Sequence, residues 1–152
     1  MTTCDELLYE VYAIEFELLR QAIVAAAESA ADPVASLAAV CRAYARYAQE
    51  HPGRYRAMTG VRGQAHEGWD PARFPGTPAF AALAGAVAAA LAVAGRRDAE
   101  PRPAAASLWA WLHGVVVLRA DRPVFPWPPM GDMLDSLVAQ FLAAPYRSRD
   151  FA

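Results

Sequence analysis

Residues 104–120, AAASLWAWLHGVVVLRA, read as a helix that is apolar on nearly every side. With about 100° of rotation per residue, Trp109, Leu112, His113 and Val116 share one face, and Leu108, Trp111, Val115 and Leu118 share another. Both faces need cover. The remaining strip, Ala110, Gly114 and Val117, is small enough for a further helix to approach its backbone closely. On the surface of a lone subunit such a helix would leave large aromatic rings in water.

The segment that follows sharpens this demand. Four prolines between Asp121 and Pro129 prevent helix until Pro128-Pro129, after which Met130 to Ala143 form the last element. Its apolar set, Met130, Met133, Leu134, Leu137, Val138, Phe141 and Leu142, covers about half the circumference, more than one neighbouring helix hides. Two successive helices with surplus apolar surface are what a homodimer built on a four-helix bundle requires. The expected interface is Leu108, Trp111, Val115 and Leu118 with Met130, Met133, Leu134, Leu137, Val138 and Phe141. The alternative is that these faces bury against helices of the same subunit.

Upstream, Thr3 and Glu6 form a capping-box pattern that opens a first helix from about Asp5 to Ala30. Asp32-Pro33 starts a second, running through Val40, Tyr44 and Tyr47 to about Glu50. His51-Pro52-Gly53 ends it, and a short third helix spans about Arg54 to Thr59. Residues 60–77 have no sustained period and read as a long loop. Thr77-Pro78 then begins an alanine-rich helix that Gly95 terminates, and Arg96 to Pro103 reads as a polar connection. The expected fold is all-α, a single-domain bundle of about six helices occupying 1–152.

Composition narrows the function. The 152 residues are 56% hydrophobic and 20% charged with a net charge of −2, a globular balance in which no basic stripe suggests a grip on phosphates. Pro78 to Gly95 is uncharged but mostly alanine and glycine, so it suits a buried helix better than a membrane. Two cysteines without ligand spacing point to a reducing, cytoplasmic setting and to no metal. His51, His66 and His113 lie in separate elements, and no serine sits in a nucleophile elbow, so neither an enzyme nor a cofactor is expected.

His113 reads first as a core histidine bonded to a backbone carbonyl or water. A sharper reading sets it beside Trp109 as the polar contact in a mostly apolar ligand cavity. Tyr9, Tyr12, Phe16, Tyr44 and Tyr47 add an aromatic-rich pair of helices. Cys41 reads as a small buried hydrophobe, with a redox sensor as the less favoured alternative.

The run Leu108 to Leu118, with its Trp109 and His113-Gly114, resembles the Trp…His-Gly signature of the WHG subgroup of C-terminal domains in TetR-type transcription regulators. Asp5-Glu6-Leu7-Leu8 resembles the start of that family's first sensor helix, and Ala43 to Met58 resembles its AYxxFAxxHPxxYxxM pattern. The resemblance implies a helical domain that dimerises through its last two long helices and answers to a small apolar or amphipathic effector. It suggests ligand contacts from Tyr12, Phe16, Cys41 and Tyr44, from Met58, and from Phe80, Leu83 and Val87. On the signature helix it suggests Trp109, Leu112, His113 and Val116. The family's DNA-reading helix-turn-helix has no counterpart here, since four residues precede Asp5. The expectation is therefore no direct DNA binding by this chain alone. A ligand-free dimerisation module, or decoy pairing with full-length regulators, is the rival. An enclosed cavity near Trp109 and His113 would separate a sensor from a decoy packed solid.

Overall fold

Asp32 turns the chain into a helix by direct capping: its Oδ1 accepts from the amides of Val34 and Ala35, both at 2.9 Å, with Pro33 behind it. A computed structural model describes residues 4–60 and 74–143. Among these it has six helices: α1 (Cys4–Glu28), α2 (Pro33–Glu50), α3 (Pro52–Thr59), α4 (Thr77–Val93), α5 (Pro101–Asp121) and α6 (Met130–Ala143). The architecture is all-α, as expected. The capping threonine of α1, residues 61–73 of the long loop and the tail from 144 lie outside the described residues.

Two helices begin earlier than the sequence suggests, and proline is the reason. Pro52 starts α3 and Pro101 starts α5, because the first turn needs no amide donor and proline's fixed φ already suits it. At α3 the proline that follows one helix directly opens the next. At the other end of α4, Gly95 takes a φ of 71°, and the amide of Arg96 bonds Leu91 O at 2.9 Å while that of Gly95 bonds Ala92 O at 3.2 Å. This is a Schellman closure, which places glycine where an L side chain would be strained.

The helix with the cleanest apolar stripe takes the middle. On α2, Leu37, Val40, Cys41, Tyr44, Ala45, Tyr47 and Ala48 are all buried, and this helix touches each of the other five. α1 packs on α2, α3 and α4, α5 packs on α2 and α4, and α6 lies on α2. The end of α6 is pinned by Arg96, whose Nη1 donates to Phe141 O at 3.1 Å, and its middle by an Arg42–Asp135 ion pair. Its start is tied to α5 by Arg119, which donates to Pro128 O at 2.7 Å and points at Met133 Sδ.

The apolar faces of α5 and α6 are split by this arrangement. Leu108, Val115, Leu134 and Val138 are buried inside the subunit, whereas Trp111, Met130, Met133, Leu137 and Phe141 are half-buried and Leu118 is 53% exposed. A Cβ built on Gly114 would meet nothing within 4 Å among the described residues, so α5 is open at this point of its small-residue strip.

The start of α4 is fixed by a close approach. Gly76 caps α4, and a Cβ there would stand 2.8 Å from Phe16 Cε1 and 2.5 Å from Phe74 Cε1. Gly76→Ala must push aside two aromatic rings and is expected to lower unfolding stability by about 1–3 kcal/mol. Denaturant unfolding of the two proteins checks this, and equal midpoints would contradict the packing described.

Candidate functional site

Where α1, α2, α4 and α5 converge, Phe16, Leu19, Ile23, Tyr44, Ala79, Phe80, Leu83 and Trp109 surround a crevice with Gly76 at its edge. Five of the residues expected to contact a ligand (Phe16, Tyr44, Phe80, Leu83 and Trp109) meet here. The enclosed volume is only about 20 Å³, roughly room for one water molecule. Aromatic rings fill the rest. Phe80 lies 6.0 Å from Trp109 between ring centroids, Phe74 meets Phe16 edge-on at 5.2 Å, and the Arg102 guanidinium sits 5.6 Å from the centre of Phe80.

Polar groups enter at one side of this apolar space. Trp109 Nε1 donates to the Tyr44 hydroxyl at 3.2 Å, the Tyr44 and Tyr55 hydroxyls are 2.7 Å apart, and the Tyr55 hydroxyl is 2.7 Å from His113 Nδ1. One assignment gives every proton in the line an acceptor. Trp109 donates to Tyr44, Tyr44 to Tyr55, and Tyr55 to His113 Nδ1, which makes His113 neutral with its proton on Nε2. Reversing the line would leave the Tyr44 hydroxyl proton without an acceptor in it, at a residue only 2% exposed.

Burial agrees with the neutral state. It pushes the His113 imidazole below its ordinary value and both Tyr44 and Tyr55 above theirs, so all three are uncharged near neutral pH. The line joins α2, α3 and α5, and it fixes α3, whose N-terminus has no side-chain cap.

The other expected contacts fall in three places. Val87, Leu112 and Cys41 are fully buried in the core, and Met58 is nearly so. Burial pushes the Cys41 thiol up to about 12, so it is an inert apolar group at physiological pH. Tyr12 is half-buried against the core, and Val116 faces a separate cleft beside α3.

Tyr55 is the functional residue that sequence reasoning passes over. It lies between Arg54 and Arg56 in a short polar helix, so periodicity gives no sign of its burial. A second buried polar junction was equally hidden. The Tyr47 hydroxyl donates to Glu15 Oε2 at 2.6 Å, with the Arg54 guanidinium 3.7 Å from the other oxygen, which ties α1 to α2 and α3. Among the described residues no group of three or more His, Cys, Asp or Glu could hold a metal ion, and no helix is long and apolar enough to cross a membrane. His66 lies outside those residues.

Six helices around a crevice bordered by Tyr44 and Trp109, with Tyr55 and His113 continuing the polar line, define a small helical domain. The model of the tetracyclin repressor-like, C-terminal domain family matches residues 37–143, more than half the chain, and the chain belongs to that family. Among solved structures it is similar to a protein of unknown function from Rhodococcus sp. RHA1, at 21% identity and a TM-score of 0.78, covering 91% of this chain and 71% of that one. It is also similar to SCO4313, described as a candidate regulatory protein, at 24% identity and a TM-score of 0.61, covering 93% and 74%. At these identities the likeness speaks for the fold. No curated protein matches the chain.

His113 carries a pH signature. Its folded-state pKa lies below that of the unfolded chain, near 6.5, so the unfolded state takes up the proton first. The stability due to the neutral ring is fully present above that value and is lost as the pH falls through the folded one. His113→Gln, which cannot titrate, is expected to lose less stability than the parent between pH 7 and pH 5. Parallel losses in the two proteins would contradict the assignment.

Proposed function

We propose that this chain is the effector-sensing and dimerising part of a TetR-like regulator, a single cytoplasmic domain without catalytic activity. The observation that carries the reading is the Trp109–Tyr44–Tyr55–His113 line beside an otherwise apolar crevice. A site with one polar edge and aromatic walls suits a small apolar or amphipathic molecule. The ligand enters only if Phe80 or Phe74 swings away, because about 20 Å³ admits nothing larger than water. Binding therefore selects an opened arrangement of α4 against α1 and α5, and this movement is the signal. In this reading the chain makes no direct contact with DNA.

Dimerisation would use the outward faces of α5 and α6. Trp111, Met133 and Leu137 line a half-open groove between α5 and α6, Leu118 is exposed further along α5, and the space at Gly114 is open among the described residues. Leu108, Val115, Leu134 and Val138 would support this interface from beneath. A small residue at Gly114 lets a partner helix come close, at a cost in helix propensity of about 1 kcal/mol relative to alanine.

The near-solid crevice favours one other reading, a dimerisation module that binds no ligand and pairs with related regulators. Thermal unfolding against a panel of apolar and amphipathic compounds separates the two. A sensor gains stability in a dose-dependent way with at least one compound class, whereas a module without a site gains none.

The dimer is tested at Gly114. Gly114→Leu fills open space in the isolated subunit, so its helical circular dichroism should be retained. Sedimentation equilibrium should show a dimer dissociation constant raised tenfold or more, corresponding to about 1.4 kcal/mol. An unchanged constant would exclude this face as the interface.

A further inference from the structure

We propose that the chain has a second small-molecule site, separate from the crevice at Trp109, which takes a planar aromatic or amphipathic carboxylate. It is a cleft of about 540 Å³ between the C-terminal ends of α2 and α5, α3 and the segment 122–129. That volume is of ligand size, while the space at Trp109 is about 20 Å³. Val116, Val117, Met130 and the Tyr55 ring give it an apolar lining, and Gln49, Arg56, Arg119 and Asp121 supply its polar groups.

The charge pattern selects an anion. Arg56 faces Asp121 at 3.4 Å, so these two largely offset each other. Arg119 is left in surplus, because no carboxylate among the described residues lies within ion-pair distance of it. Its guanidinium is also held in place: one nitrogen donates to Pro128 O at 2.7 Å, and the group lies 5.8 Å from the centre of the Trp127 ring. A fixed, half-buried guanidinium without a counter-ion, beside an apolar lining, is a receptor for a carboxylate attached to an apolar body.

The flat body is suggested by Trp127. Its indole is half-buried, its Nε1 donates to Arg122 O at 3.0 Å, and Phe125 packs on it at 4.4 Å between centroids. With Phe125 against it and Arg119 over it, the ring is held in the cleft wall and adds aromatic surface beside the guanidinium, where a flat apolar body can pack. Tyr55 lines the cleft, and its hydroxyl is the link between Tyr44 and His113. An occupant seated on Arg119 and Trp127 leaves the Tyr55 hydroxyl in that line, so the two sites are read independently.

Calorimetric titration of the full chain with naphthoate, and with naphthamide as the neutral isostere, tests the site. Naphthoate should bind saturably, and naphthamide at least tenfold more weakly, a comparison that needs no variant. Arg119→Met and Trp127→Leu, each checked for retained helical circular dichroism, should each weaken naphthoate at least tenfold, while Trp109→Phe should leave it unchanged. Absence of saturable binding, equal affinity for acid and amide, or indifference to both cleft variants would overturn the proposal. Loss of binding in Trp109→Phe alone would move the ligand to the crevice, overturning the second site while leaving the sensor reading intact.

Discussion

Four side chains on three helices share one line of hydrogen bonds, and the arrangement of the crevice beside Trp109 depends on it. Trp109 and His113 lie one helical turn apart on α5, Tyr44 comes from the central helix, and Tyr55 from the short α3, which buried Met58 and the Arg54–Glu15 contact also hold. Each hydroxyl in the line both accepts and donates. Removing any member would strand a buried donor or acceptor, which typically costs more than an ordinary hydrogen bond contributes. The line therefore fixes the position of α3 relative to α2 and α5 and gives the crevice its only described polar edge. A ligand group that offered Trp109 or Tyr44 a better partner would compete with this line directly.

The outer surface imposes the second constraint. The signature helix α5 faces three ways: Leu108, Leu112, Val115 and Val116 pack inward, Trp109 borders the crevice with His113 one turn on, and Trp111, Gly114 and Leu118 are left partly covered or exposed by the described residues. A partner seated on the third side would press on the same helix that carries the polar line. Sensing and dimerisation, if both occur as proposed, then act through one rigid element, which is the physical basis for coupling between sites.

The helices were legible because proline, glycine and aspartate mark their ends. Asp32-Pro33 and Gly95 act as the sequence implies, and α6 runs from Met130 to Ala143 as expected. The early starts of α3 and α5 were hidden because a proline that breaks one helix is equally suited to begin another. The family resemblance, and not periodicity, singled out Phe16, Tyr44, Phe80 and Trp109 together, and packing brings these four to one crevice. Periodicity could not locate Tyr55 or Glu15, since each is a polar residue buried by a partner distant in sequence. It also merged faces that packing separates: Leu108 and Trp111 are three residues apart on one face of a wheel, yet one is core and the other half-open. That distinction depends on where α6 lies, and no local pattern encodes it.

The central claim is that His113 is a neutral acceptor at the end of an oriented hydrogen-bond line. Nitrogen-15 NMR of the His113 imidazole at neutral pH measures this directly through the shifts of its two ring nitrogens. The account predicts a protonated Nε2 and an unprotonated, hydrogen-bonded Nδ1. A proton on Nδ1, or an imidazolium ring, would contradict it.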